Sequence, residues 1–173
     1  PFTGAEGALY AVSAGSRRIH QVNPLTGQAI LIDETSPTPT GVITALAYDS
    51  ETFALYYTDN ADASGHFRLY CFSLGSGTHT LIGQVDGASF AYHPLQPLSN
   101  LTAVDGALLF FARDTDDLVR LTIDGGVIAS IQKIADVSND TLNLGEVGDL
   151  SVRDDGVIYF SVRNVPPAYA ASN

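Results

Sequence analysis

A short motif that returns at nearly constant spacing constrains this chain more than any other feature. A small or apolar residue, an aliphatic and a bulky partner occur together four times: Gly7-Ala-Leu9-Tyr10, Phe53-Ala-Leu55-Tyr56, Gly106-Ala-Leu108-Leu109 and Gly156-Val-Ile158-Tyr159. The aliphatic moves from 9 to 55, to 108 and to 158, in steps of 46, 53 and 50 residues. Three copies are preceded by an aliphatic, two residues and a leucine, at Ile43/Leu46, Leu98/Leu101 and Val147/Leu150. Each of these runs closes in an acidic turn, at Asp49, Asp105 or Asp154-Asp155-Gly156. The first three copies are followed by a third run, at residues 18–22, 68–72 and 118–123. These end in glycine turns, Asn23-Pro-Leu-Thr-Gly27, Gly75-Ser-Gly77 and Asp124-Gly-Gly126, and a fourth run follows around 29–32, 79–82 and 127–131.

Residues 41–83 display the whole unit. Runs at 43–48, 54–58, 67–74 and 79–82 are rich in aromatic and β-branched residues and are bounded by Asp, Asn, Ser or Gly, the pattern of strands and turns. Four strands per repeat of about fifty residues predict β-propeller blades. No window of helical period escapes interruption by Gly, Pro or a β-rich run. A β-sandwich is the nearest rival, and the ordered recurrence of three distinct motifs disfavours it. The 173 residues are expected to form one all-β domain with blade pieces at 7–32, 42–83, 98–132 and 147–162. The first piece lacks its initial strand and the last has only two. The tail 164–173, with Pro166-Pro167, does not read as a further strand. The expectation is therefore a propeller of about three and a half blades, either a piece of a longer ring or one completed by another chain. Two copies would supply about seven blades. An open ring leaves strand edges exposed, which proteins avoid. The chain opens on Pro1 rather than Met, as expected of a processed product or a fragment.

With these motifs the chain resembles bacterial extracytoplasmic propellers with degenerate repeats, which pair a small-aliphatic-aromatic second strand with a third strand ending in Asn-Pro-x-Thr-Gly. Leu9-Tyr10, Ile19, Asn23-Pro24 and Thr26-Gly27 carry the likeness, as do Leu46, Asp49, Leu55-Tyr56, Leu69 and Gly77. The absence of Trp sets it apart from repeats with a Trp-Asp pair. It looks more like surface-protein and adhesin-associated members. The resemblance implies architecture and location, and no activity.

Nineteen acidic against eight basic residues give a formal charge of −11. That balance disfavours nucleic acid and anionic membrane surfaces, both of which call for a basic patch. Hydrophobic residues at 45% with charged residues at 16% indicate a globular core rather than disorder. No apolar run is long enough to span a bilayer as a helix. The single cysteine, Cys71, lies within a strand and is expected to be a buried thiol. One lysine, Lys133, amid abundant Ser, Thr, Asp, Asn and Gly points to an extracytoplasmic location.

The predicted strands sort the loops by face. Tight turns at 49–51, 105–106 and 154–156 lie on one side with the glycine turns. Long connections at 33–41, 59–66, 85–97, 113–117 and 135–146 lie on the other. Loops on a rigid scaffold concentrate binding residues, so the long-loop side is the expected working face. Asp59, Asn60, Asp62 and His66 share one of its loops; Asp114, Asp116 and Asp117 share the equivalent loop one blade on. Asp59, Asp62, Asp114 and Asp116 are candidate oxygen ligands for Ca²⁺, the one cofactor the pattern admits, although Asp in such loops also forms turns. Arg17, Arg18 and Arg113 occupy equivalent loops and could receive an anion. Tyr92 and His93, with Phe90 nearby, could stack on a sugar ring. His20 and His79 are expected to face outward from their strands. No Ser-His-Asp order, zinc-binding pattern or phosphate-cradling loop can be assembled, and Gly125-Gly126 reads as a hairpin turn. Asn100-Leu-Thr102 and Asn139-Asp-Thr141 match glycosylation sequons.

The leading expectation is a non-catalytic extracytoplasmic module that binds a protein or glycan ligand or serves as a scaffold. The alternative is part of a metal-dependent propeller hydrolase or lactonase with ligands at the channel mouth, where Asn100 and Asp149 begin inner strands. A third possibility is an assembly fragment completed by a second copy or by a remaining propeller chain.

Overall fold

The computed structural model describes residues 9–13, 17–34, 42–60, 66–85, 100–112, 117–136, 147–153 and 155–162. These residues hold thirteen strands and no helix. The strands fall into four separate antiparallel sheets, met in chain order. The first comprises β1 (Leu9–Val12), β2 (Arg18–Val22) and β3 (Ala29–Glu34). The second runs β4 (Ile43–Asp49), β5 (Ala54–Asn60), β6 (Phe67–Ser73) and β7 (Thr78–Val85). The third follows with β8 (Thr102–Val104), β9 (Ala107–Ala112), β10 (Asp117–Asp124) and β11 (Val127–Asp136). The last pairs β12 (Val147–Val152) with β13 (Ile158–Val162). Every sheet is a meander, each strand hydrogen-bonded to its sequence neighbour.

Two-residue glycine turns produce the sharpest reversals. Asp105 and Gly106 both adopt positive φ, at 47° and 67°, between β8 and β9, and Gly125 and Gly126 do the same at 58° and 79° between β10 and β11. Two successive left-handed residues match the twist of a hairpin, and Asp-Gly and Gly-Gly supply them with little strain. The turn between β2 and β3 relies on Asn23, whose Oδ1 accepts the Leu25 and Thr26 amides at 2.9 and 3.2 Å.

Three clusters of side chains lie between successive sheets. Ile19 of β2 meets Ile43, Leu55, Tyr57, Tyr70 and Phe72 of the second sheet. Ala45, Ala47, Phe67, Leu69 and Ile82 meet Leu108, Phe110, Val119 and Leu121 of the third. Leu109, Phe111 and Leu118 meet Leu150, with Val152 and Ile158 beside it. Strand alternation explains this. In β9 the even positions Leu108 and Phe110 face the preceding sheet, while the odd positions Leu109 and Phe111 face the following one. The first strands β1, β4, β8 and β12 adjoin one another in that order, so they form the inner wall of the stack.

The structure corrects two sequence expectations, on His79 and Cys71. In the third sheet β8 begins at Thr102, and residues 98–99 of the expected run lie outside the described residues. Asn100 Oδ1 accepts the Phe111 amide at 2.8 Å. Asn100 is also only 3% exposed, so the folded chain offers no sugar acceptor there. His79 does not face outward: it pairs with Phe72 across β6 and β7, and that register turns it toward the first sheet. Its side chain is 6% exposed and stacks on the Phe72 ring with centroids 4.3 Å apart. Cys71 is half-buried rather than enclosed, packed at the edge of the second-to-third sheet core.

Candidate functional site

The tight turns of three successive sheets converge at one end of the inner wall. There they enclose a cleft of about 270 Å³ lined by Tyr48, Asp49, Glu51, Asp105, Val152 and Arg153, among others. The first strand of each contributing sheet delivers one acidic turn to this end, which is why acids far apart in sequence come together. Each turn organises its own carboxylate differently. Asp49 is buried, its Oδ1 accepting the Glu51 amide at 2.9 Å and its Oδ2 the Thr52 hydroxyl at 2.6 Å. Asp155 takes Arg153 Nε on Oδ1 at 2.9 Å and also receives the Arg153 Nη2. That pairing holds the Asp155 carboxyl below its usual range and raises the guanidinium. Arg153 also lies 5.8 Å from the centre of the Tyr159 ring and donates to its hydroxyl at 3.1 Å, a cation–π arrangement.

Aromatic rings border the cleft. Tyr48 is 37% and Phe53 51% exposed. Tyr10 and Phe53 flank the Tyr48 ring at 4.9 and 6.4 Å between centroids. Phe53 sits at φ 52°, a conformation rare for a bulky residue. Exposed carboxylates at Glu51 and Asp105 thus stand beside a flat apolar surface. Such a surface can accept hydrogen bonds from hydroxyl or ammonium groups while a ring packs on the ligand's apolar side.

The expected long-loop site is described only in part. Asp62, Tyr92, His93, Arg113, Asp114 and Asp116 lie outside the described residues, and Asn60 only has its backbone in β5. Asp59 is fully buried in β5. Arg68 of β6, its cross-strand partner, donates Nε to Oδ1 at 3.0 Å and Nη2 to Oδ2. The Tyr70 hydroxyl stands 3.5 Å from the same Oδ2. The hydrogen bond to Asp59 raises the Arg68 guanidinium. Both Asp59 oxygens therefore tie β5 to β6. Asp117 is buried and meets Lys133 Nζ at 2.6 Å, joining β10 to β11. His66 is half-buried just before β6. Among the described residues no group of three or more His, Cys, Asp or Glu side chains converges to hold a metal ion.

A second polar cluster bridges the first two sheets. His79 Nδ1 and the Tyr57 hydroxyl are 3.1 Å apart, and His79 Nε2 lies 3.6 Å from Asp33 Oδ2. Burial lowers the His79 pKa against an opposing pull from Asp33. Burial raises Tyr57, with Tyr70 and Asp59 adding to it. Sequence reasoning treated the acidic turns only as turn formers. The signal it passed over was the recurrence of an acid at one repeat position, which places those acids around a common axis.

No family model and no curated protein sequence matches the chain. Solved structures do. An oxidoreductase described as a glucose dehydrogenase, from Thermus thermophilus, superimposes with a TM-score of 0.56 at 17% identity, covering 92% of this chain and 57% of that one. A protein described as a 6-phosphogluconolactonase, from Bacteroides fragilis, gives 0.53 at 11% identity, covering 90% and 44%. The periplasmic gluconolactonase of Pseudomonas aeruginosa gives 0.50 at 16%, covering 86% and 44%. The fold is a partial β-propeller. Its sheets are blades, and the cleft opens at one end of the propeller axis, on the side of the tight turns. The chain spans about half the length of the propellers it matches.

Proposed function

We propose that the chain is a non-catalytic propeller module that binds a protein or glycan ligand, or serves as a scaffold, outside the cytoplasm. The axial cleft carries this reading: the exposed acids Glu51 and Asp105 border it beside the Tyr48 ring, a combination suited to binding. Burial raises the Cys71 thiol and the Tyr57 and Tyr70 phenols, which disfavours their nucleophilic forms. Asp59 and Asp117 are engaged in strand-to-strand ion pairs. An acidic chain supports neither nucleic acid nor an anionic membrane as partner. The composition, and the periplasmic location of one structural neighbour, support an extracytoplasmic site of action, and the surface-protein or adhesin-like type belongs to the same proposal. Glycan and peptide arrays test it. Specific binding that drops at least about tenfold, or 1.4 kcal/mol, in Tyr48→Ala and in the double variant Glu51→Gln/Asp105→Asn is the expected result. Robust turnover of a hydrolase substrate would overturn it.

A second reading, part of a metal-dependent hydrolase or lactonase, draws on the activities named for the neighbouring propellers. Asp149 lies in the inner strand β12, where a channel-mouth ligand would be needed, whereas Asn100 Oδ1 is committed to the Phe111 amide. Metal analysis of the purified chain together with a lactone-opening assay separates the two readings.

A further inference from the structure

The core between the first and second sheets, built on Ile19, Leu55, Tyr57 and Phe72, has a histidine set into it. His79 stacks on Phe72 and stands edge-on to Tyr57. The other two interblade cores hold no histidine among the described residues. Three side chains form a line across this interface: Tyr57 of β5, His79 of β7 and Asp33 of β3. The Tyr57 hydroxyl is 3.1 Å from His79 Nδ1, and Nε2, shielded from solvent, is 3.6 Å from Asp33 Oδ2. A carboxylate beside Nε2 favours the tautomer with its hydrogen there. Nδ1 then carries a lone pair and accepts from the Tyr57 hydroxyl. Tyr57 is 0% exposed, and among the described residues its hydroxyl has no second partner. The order hydroxyl, imidazole, carboxylate is that of a catalytic relay, but an enclosed hydroxyl meets no substrate. What the line does is fasten β3 of one sheet to β5 and β7 of the next.

Proton uptake reverses that arrangement. A proton on Nδ1 makes it a donor aimed at the Tyr57 oxygen, and the hydroxyl must swing its own hydrogen away. Among the described residues no acceptor stands ready for that hydrogen, and solvent does not reach it. A buried donor left without an acceptor is destabilising. The groups that face the imidazole are Tyr57 from β5, Phe72 from β6 and Asp33 from β3. Asp33 is the charged one and favours the protonated ring, but burial outweighs it. Parting the two sheets returns both rings to water and removes the conflict. We infer that His79 is a proton-operated joint: protonation loosens the first sheet from the second while the second and third stay packed. Both sides of the joint lie within the described sheets, and it stands apart from the axial cleft.

Amide hydrogen exchange of the full chain between about pH 7.5 and pH 5, corrected for the intrinsic pH dependence of exchange, tests it. In wild type the opening of β1–β3 is expected to grow as the pH falls, by up to about tenfold per pH unit. The opening of β9 and β10 should hold steady. His79→Gln should flatten the dependence in β1–β3. Asp33→Asn alters a side chain that is 40% exposed, so this variant can fold, and circular dichroism verifies folding for both. Without the carboxylate the folded imidazole binds its proton still more weakly, so the growth in opening should continue to lower pH. Opening of β1–β3 that ignores pH overturns the inference. So does an equal change in β9 and β10, which marks global unfolding, or a dependence that survives in His79→Gln, which assigns it to another group. A dependence abolished by Asp33→Asn also overturns it, since the carboxylate would then be the group that titrates.

Discussion

The buried polar side chains of this propeller work as joints between strands and blades, and each joint has a characteristic failure. Arg68 and Asp59 form a bidentate pair with the carboxylate fully buried. Truncating Arg68 to Ala leaves that charge in the core without its partner, which costs about 3 kcal/mol or more. Replacing both residues by apolar ones of similar size, Asp59→Leu with Arg68→Met, removes the charge and its partner together. Urea unfolding is expected to place Arg68→Ala well below wild type and the double variant far above the single. His79 sets a different dependence. Burial depresses its pKa below the ordinary 6.5, so the unfolded chain takes up a proton at a higher pH than the folded one. The stabilising contribution of neutral His79 is complete above pH 6.5 and is lost as the pH falls toward its folded-state value. The loss amounts to no more than about 1.4 kcal/mol per pH unit for one group. Unfolding free energies measured between neutral and mildly acid pH should fall in wild type along this slope, and His79→Gln should remove that component. Identical slopes in the two proteins would count against it.

At the scale of elements, turns and ladder ends decide where a strand stops. Asn100 stands opposite Phe111 and supplies a side-chain oxygen to its amide. Asn100→Ala leaves a buried donor without that acceptor, at a cost of about 1–3 kcal/mol. The amide of Phe111 should then exchange faster while those of β10 keep their protection, a contrast that amide hydrogen exchange by NMR reads directly. The strands were largely legible beforehand, because aromatic and β-branched runs between Gly, Asp and Asn turns report themselves locally. Leu101 is buried like a strand residue, yet β8 itself begins at Thr102, with the Asn100 side chain meeting the Phe111 amide just before it. The facing of His79 misled. Whether a strand position faces in or out depends on its register with Phe72, a pairing that no local pattern encodes. The cleft was the least legible element, since Tyr48, Asp105 and Arg153 come from three blades and meet only once the blades are stacked. The long-loop residues singled out as a site are mostly outside the described residues, while Asp59 and Asp117, both buried, tie β5 to β6 and β10 to β11.

Across the whole molecule, burial is graded from the middle outward. The second and third blades are covered on both faces, by cores that include Leu55, Phe67, Leu108 and Phe110, all at 0–1% exposure. Among the described residues the first and last blades are covered on one face only, and Leu9, Leu31 and Tyr159 are 48–54% exposed there. Stacked repeats gain stability from each unit and from each interface with a neighbour, so a blade with one interface opens more readily than a blade with two. Amides of β1–β3 and β12–β13 should exchange well before those of β5, β6, β9 and β10. A difference of about 3 kcal/mol in opening free energy corresponds to roughly a hundredfold in exchange rate. Phe110→Ala probes the same gradient from the centre. Phe110 is fully buried and meets Phe67 edge-on at 6.2 Å across the central interface. Its removal should cost about 3–5 kcal/mol and lower the protection of β5, β6, β9 and β10 together. The outer strands already open below that threshold, so their rates should scarcely move. Uniform protection across all four sheets, or a Phe110→Ala effect confined to β9, would show that the interblade cores do not set the stability of the stack.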